Sequence, residues 1–485
     1  MKKFSKLLLG LVSCLSLASC GKPTDSGTTS VGGTQGKINV YFWTTTGAQL
    51  EEQIESYATQ FENYIKQYES VDVDIIIQNQ GGYDEIKSQI TTGLGSNNIP
   101  TIAVAYPDHV ASYLADKPGS VVNLADYINS DTLGFKKDPI TELNDTYDET
   151  DFIQKYYEEG TIYQEEGVYS LPFLKSSEVM IVNSDAVEGR TFGSEVNNGR
   201  EVTSTYLSKM TWDDLMALCK YVVENKDEFP NVKWPLYIDS DSNFFITQAM
   251  QRGLPYLGNG DTAEEKLLFN NKDTKAMVQE FYDLFDQGYF MTKGNNNSEY
   301  GSNYFTKEET LITIGSSGGA GYNDLVNSVN GVGVYKVPAA NDNPVYVSQG
   351  LTLCMFHNPA NADDNLRIEY GWRFLKYILS PNANTILSFA SQGYVPVRTS
   401  AVTSPSYQAY INPEYEDDET LLTKTSRVVI NDINGAYYNL PLFKGSDAAR
   451  TQVEGIVSSF VRIQSGGLTL DDAFQNAYEA AVSSL

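Results

Sequence analysis

Between Tyr169 and Ala186 the chain reads YSLPFLKSSEVMIVNSDA, a stretch that restricts its architecture more than any other. Leu171-Pro172-Phe173 is an extended apolar segment. Val179-Met180-Ile181-Val182 suits a buried strand, and Asn183-Ser184-Asp185 after it is turn chemistry. Lys175-Ser176-Ser177-Glu178 separates the two, and a polar break inside buried strand is costly unless partners satisfy it. Two arrangements meet that demand. Either the chain passes here from one lobe to another beside a wet cleft, or the break is a loop between two ordinary strands.

The N-terminus bears on the compartment. Lys2, Lys3 and Lys6 precede an apolar run from Leu7 to Leu17, followed by Ala18-Ser19-Cys20. A basic start, a short apolar core and small residues before a cut describe a secretory signal peptide over residues 1–19, too short for a membrane span. Leu-Ala-Ser-Cys resembles a bacterial lipobox, which implies cleavage before Cys20 and lipidation of its thiol. Residues 21–36, GKPTDSGTTSVGGTQG, have almost nothing to bury and are expected to be a flexible tether. Such a tether holds a domain roughly 20 Å from the membrane.

The chain is long enough for two domains beyond the tether. Its formal charge is −28, or −31 once the three signal lysines are removed. That excess argues against nucleic acid as a partner and against electrostatic binding to anionic lipid. Cys219 falls in a helical pattern and Cys354 in a strand, where each reads as a small buried hydrophobe. His109 and His357 have no metal-ligand spacing around them, and no cofactor is expected.

Residues 38–43, INVYFW, read as a first strand. Leu50, Ile54, Tyr57, Phe61 and Ile65 recur at helical spacing, and Val71, Val73, Ile75 and Ile77 alternate as a second strand. Gly81-Gly82 ends it, a helix is expected over 83–94, and residues 101–105, TIAVA, form a continuously apolar strand. This alternation predicts a parallel sheet covered on both faces, with ligands beyond the carboxyl ends of its strands. Those ends carry Trp43, Thr45, Tyr83 and Asp108. Thr211 and Asp214 form an acidic capping box at the start of a helix. Helices are expected over 243–252 and 274–287. The strand 310–314 leads into Gly315-Ser316-Ser317-Gly318-Gly319, whose N–H groups and hydroxyls, ahead of a helix over 322–329, suit an anion or sugar hydroxyls. It lacks the Gly-Lys-Ser/Thr of a phosphate loop. Strands over 332–337 and 345–356 are followed by helices over 370–379, from Pro381, and near Val453 and Phe474.

This order of elements resembles the extracellular solute-binding proteins of ABC importers, in the carbohydrate-type family, from Ile38 to the end. The motifs that carry the resemblance are INVYFW, PTIAVAYPD at 100–108, LPFLKSSEVMIVNSDA at 171–186, TWDDL at 211–215, GVGVYKVP at 331–338, GWRFLKYILSP at 371–381, QGYVPV at 392–397 and GLTLDDAFQNA at 467–477. The resemblance implies an α/β fold of two lobes, each a central sheet flanked by helices. It implies three crossings, near 176–178, 349–351 and 394–398. Lobe 1 would hold 37–177 and about 352–395; lobe 2 would hold about 178–350 and 396–485.

Within that family the glycerol-3-phosphate-binding and maltose-binding members are the nearest in pattern. By the former's motifs, ligand contacts are implied at Tyr83, Ser176, Trp212, Ser316, Ser317, Gly350 and Tyr394, with Arg450 as the phosphate arginine and Asp108 as the acidic residue after the third strand. Trp43, Thr45 and Phe244 complete the candidate set. A sugar needs aromatic faces with carboxylates or amides for its hydroxyls; a glycerol phosphate needs an arginine and backbone amides, from Arg450, Arg398 and the turn at 316–319. The expected partners are thus a sugar or glycerol phosphate, an ABC permease, and the membrane through Cys20, with the protein a monomer. An extracellular glycosidase needs two carboxyls about 5–9.5 Å apart, and no motif nominates such a pair. A lipid-anchored adhesin explains the tether but not the motifs.

Overall fold

The computed structural model describes residues 36–96, 98–325, 331–340, 343–415, 419–433 and 436–485. The expected signal peptide, Cys20 and nearly all of the tether lie outside the described residues. Among the described residues no helix is long and apolar enough to cross a membrane.

Twelve strands are described: β1 (Ile38–Thr44), β2 (Val73–Asn79), β3 (Ile102–Ala105), β4 (Leu171–Ser176), β5 (Glu178–Asn183), β6 (Trp234–Ile238), β7 (Phe290–Thr292), β8 (Thr310–Ser316), β9 (Val332–Lys336), β10 (Tyr346–Val347), β11 (Gln349–Met355) and β12 (Tyr437–Tyr438). They form two five-stranded sheets, ordered β2-β1-β3-β11-β4 and β7-β6-β8-β5-β9, and a short pair β10-β12. The helix Ala48–Glu69 buries Leu50, Ile54, Tyr57, Phe61 and Ile65 on the face their spacing predicts. Thr211 caps the helix Trp212–Glu224 in a capping box with Asp214.

Both sheets are mixed rather than parallel, and the exceptions have one cause. In the first, β11 runs antiparallel to β3 and β4; in the second, β5 runs antiparallel to β8 and β9. These are the two strands that enter from the other sheet. Each lobe's own strands end at the cleft, so a strand that starts there must run the opposite way. Ser177 alone separates β4 from β5, so the polar break at 175–178 is a crossing and not a loop within one sheet.

Val395 bridges to Lys175, and the Arg398 side chain is buried against Asp145 and Asp151, so the chain is held to the first lobe through these residues. The helix Leu421–Arg427 then packs on β9 of the second. Elsewhere the structure departs from sequence expectation in detail. The Gly/Ser turn enters a 3₁₀ helix, Ser317–Asn323, and residues 326–329 of the helix expected there lie outside the described residues. The strand expected over 345–356 is split at Ser348, and β6 and β7 have no counterpart in the sequence reading. Cys219 and Cys354 are buried free thiols.

Candidate functional site

A cavity of about 890 Å³ lies between the carboxyl ends of the two sheets. The first lobe supplies Tyr83, the first residue of the helix Tyr83–Gly93, and Tyr106 and Asp108 from the chain after β3. The Tyr83 and Tyr106 rings stack with centroids 4.1 Å apart and planes 19° from parallel, and His109 meets Tyr106 edge-on. Burial lowers the imidazole pKa of His109, which favours the neutral ring.

The second lobe faces them with polar groups. Asp239 directly follows β6, and Ser240 caps the helix Asp241–Gln251 by accepting the Asn243 N–H at 3.2 Å. The Gly301 N–H donates to Asp239 Oδ1 (2.6 Å) and the Gly294 N–H to Asp241 Oδ2 (2.9 Å). These two carboxylates tie the segment 293–303 to the lobe, and that segment presents Lys293, Tyr300, Ser302 and Asn303 to the cavity. Burial raises both, to about 6 each, against the hydrogen bonds that lower them. Tyr300 and Tyr322 are more than half exposed at the cavity wall.

At the crossings the backbone comes close to itself. The Ser316 hydroxyl donates to Ser176 Oγ across the two lobes (3.2 Å). Gly350 has φ +102°, and a Cβ there would sit 2.6 Å from the Leu174 carbonyl, so only glycine fits both the conformation and the space. Gly318 lies against the Tyr394 ring, which a Cβ would approach to 2.7 Å.

Beneath the second-lobe wall, Glu178 is buried, and its Oε1 has no hydrogen-bond partner among the described residues. Burial lifts its carboxyl to about 8; a hydrogen bond with Asn243 and the charge of Arg450 pull the other way. Arg450 donates to Asn243 Oδ1 in turn. Asn243 and Arg450 both line the cavity, so Glu178 orients cleft groups without lining the cleft itself. On one flank Asp447 joins the lobes, taking Lys87 and the Ser112 hydroxyl (2.8 Å) from the first.

A sequence-family model described as bacterial extracellular solute-binding protein matches residues 56–414. The chain belongs to that family. Solved structures agree in fold. The GacH receptor of Streptomyces glaucescens GLA.O, solved unliganded and with acarbose, superposes with a TM-score of 0.65 at 16% identity, over 93% of this chain and 98% of that one. The substrate-binding protein Lmo0181 of Listeria monocytogenes, in complex with cycloalternan, gives 0.66 at 15%, over 92% and 98%. UgpB from Mycobacterium tuberculosis, in complex with glycerophosphocholine, gives 0.63 at 16%, over 91% and 97%. A comparison with curated protein sequences finds no match.

In this solute-binding protein the cavity gathers Tyr83, Asp108, Ser176, Ser316, Gly350, Tyr394 and Arg450 of the sequence candidates. Five others do not line it. Trp43 is buried and donates its indole N–H to Gln78 Oε1 (2.9 Å), because a strand covered on both faces leaves its side chains under helices. Thr45 donates to the Gly81 carbonyl (2.6 Å) and braces the turn before Tyr83. Trp212 and Phe244 pack against each other and Phe281 in the second-lobe core. Ser317 is fully buried and clasps Ser177, donating its N–H to the Ser177 carbonyl (2.7 Å) and accepting the Ser177 N–H on Oγ (3.3 Å). Arg398, considered above as an anion ligand, is sealed in the first lobe. Asp239, Lys293, Tyr300 and Gln349 line the cavity without having been candidates. Asp239 was within reach of the strand-end rule had β6 been recognised; Lys293 and Tyr300 sit in an aperiodic loop with no local signal.

Proposed function

We propose that this protein captures a sugar or short oligosaccharide between its lobes and delivers it to the membrane subunits of an ABC importer. The observation that carries this reading is the pairing across the cleft of stacked Tyr83 and Tyr106 with Asp239 and Asn243. Aromatic faces suit the C–H surfaces of a pyranose, and carboxylates and amides suit its hydroxyls. The cavity walls carry six carboxylates, Asp84, Glu85, Asp108, Asp239, Asp447 and Glu454, against three cations, Lys87, Lys293 and Arg450. That balance favours a neutral cargo over an anion. The receptors of the same fold solved with acarbose and cycloalternan support it.

A second reading, a glycerol 3-phosphate or glycerophosphodiester cargo, has its own observation. Lys293 and Arg450 line the cavity, and among the described residues neither has a carboxylate partner; Lys293 sits over the Tyr300 ring at 4.0 Å and Arg450 holds Asn243. The glycerophosphocholine complex of the same fold is in line with it. In either case the protein acts as a monomer tethered through lipidated Cys20 and residues 21–36, with the lobe boundaries at the crossings. It contributes binding and delivery, and no catalytic step.

Calorimetric titration of the purified protein with glycerol 3-phosphate and a panel of oligosaccharides tests the two. Oligosaccharide binding, with Arg450→Ala changing affinity less than about tenfold, supports the sugar reading. Tight glycerol 3-phosphate binding that Arg450→Ala abolishes supports the other.

A further inference from the structure

Tyr106, Asp108, Gln349 and Arg450 line the main cavity and also a second, smaller one of about 50 Å³. This annex lies on the side of β10 and β12, and its walls are of two kinds. Val347, Leu440 and Leu442 supply apolar surface. Ser348, Gln349 and Asn439 line it too, and each carries a polar atom with no hydrogen-bond partner among the described residues: Ser348 Oγ, Gln349 Nε2 and Asn439 Oδ1. Gln349 is 8% exposed, so its unpaired donor has little recourse to bulk solvent. Buried donors and acceptors left unpaired are costly, and native structures rarely keep several around one space without a partner for them. Of the two carboxylates on its walls, Asp108 and Glu159, the latter is held by Lys175.

We propose that the annex is a subsite for a hydroxyalkyl arm, a CH2–OH group, of the solute held in the cleft. The proposal rests on the solute-binding reading above and adds what part of the solute is read. Size sets the first limit: a space of about 50 Å³ takes one or two waters, at about 30 Å³ each, too little for a pyranose ring and enough for an exocyclic carbon and its hydroxyl. Chemistry sets the second. A methylene packs on Val347, Leu440 and Leu442, while one hydroxyl donates to Asn439 Oδ1 and accepts from Gln349 Nε2 or Ser348 Oγ. A site built to pair with a hydroxyl rejects an analogue lacking it far better than an apolar pocket rejects a missing methylene. The arm has two chemical sources, the C6 hydroxymethyl of a hexose or the free end of a glycerol moiety.

The test is calorimetric titration of the purified protein with β-1,4-linked glucose oligomers, with β-1,4-linked xylose oligomers that lack only the hydroxymethyl, and with glycerol 3-phosphate. The expected result for a hexose arm is glucose oligomers bound at least about tenfold tighter than xylose oligomers. Leu440→Trp, which fills the annex, brings the glucose series down to the level of the xylose series and leaves the latter unchanged. Asn439→Ala lowers the glucose series several-fold. Binding of glycerol 3-phosphate that Leu440→Trp removes assigns the arm to glycerol. Melting temperatures matching the parent show that the variants are folded. Where the oligomers bind, equal binding of the two series, or an equal loss of both in Leu440→Trp, overturns the subsite and leaves solute capture standing. Absence of binding by all three probes overturns the subsite for both arms.

Discussion

Arg398 and Arg450 lie fifty-two positions apart, and by sequence either could meet an anion. In the first lobe Arg398 is fully buried, donates to Asp151 Oδ2 and Asp145 Oδ2 at 2.9 Å each, and lies over the Phe152 ring. Arg373 and Lys376 are sealed there in the same manner, sharing Asp138, with Glu69 also on Arg373. Across the cleft, among the described residues, Arg450 is hydrogen-bonded to Asn243 and has no carboxylate partner, and Glu178 and Asp239, titratable groups in low dielectric, form no ion pair. The contrast separates scaffold from site. A buried charge that is paired holds the fold together, whereas one left unpaired is tolerated where a ligand or a change of lobe position can reach it.

Breaking the paired side has the largest expected effect. Arg398→Ala leaves Asp145 and Asp151 buried without a counter-charge, and urea denaturation is expected to show a loss of about 3–5 kcal/mol. Solute affinity of the molecules that remain folded stays unchanged; a loss of affinity matching that of Arg450→Ala would erase the distinction drawn here.

On the unpaired side the sign reverses. Glu178 keeps its proton in the folded chain up to about pH 8 and releases it near 4.5 when unfolded. The folded state therefore binds more protons between those values, and stability falls as pH rises through that window. Glu178→Gln lacks this slope. It is expected to be more stable than the parent by about 5 kcal/mol above pH 8, and to converge with it below pH 4.5. Denaturation curves at several pH values read this directly, and parallel curves for parent and variant would show Glu178 to be paired after all.

Asp239→Asn follows the same logic over a narrower range, since the carboxyl sits at about 6 instead of 3.8. The variant gains about 3 kcal/mol at pH 7 and loses roughly tenfold in solute affinity, a trade of stability for binding. A gain without a loss of affinity would move Asp239 from ligand contact to loop anchoring. The smallest effect belongs to Ser316→Ala, which removes the hydroxyl between the lobes at Ser176 and the acceptor for the Gly318 N–H. The expected cost is about 0.5–1.5 kcal/mol, with small-angle scattering of the unliganded protein shifted toward the more open form.

Much of the fold was legible because its signals are local. The helical period of Leu50 to Ile65, the capping box at Thr211 and Asp214, and the unbroken apolar run before Tyr106 each lie within about twenty residues. The polar break at 175–178 marked a place that needs partners, since buried strand rarely contains four polar residues without a reason, but it left crossing and loop both open until the structure placed Ser177 alone between β4 and β5. Strand direction was not legible. β5 and β11 look like any apolar strand, and only their entry from the other lobe makes each run against its sheet.

The cleft divides the same way. Strand ends and motif positions brought Tyr83, Asp108, Ser176, Ser316 and Arg450 into view, yet the same rules also nominated Trp43 and Trp212, which pack in the core. An aromatic residue next to a strand end or at a helix start has no local mark of whether it faces solvent or a neighbouring helix. The sequence by itself determined the strands and helices of the opening half of the first lobe, because periodicity, capping and turn chemistry act between near neighbours; the two lobes and their crossings were implied only by the resemblance to a family. Tertiary structure alone decided which charges are paired and which line the cavity. Residues 83, 239 and 450 meet only through long-range register, and pairing depends on that meeting.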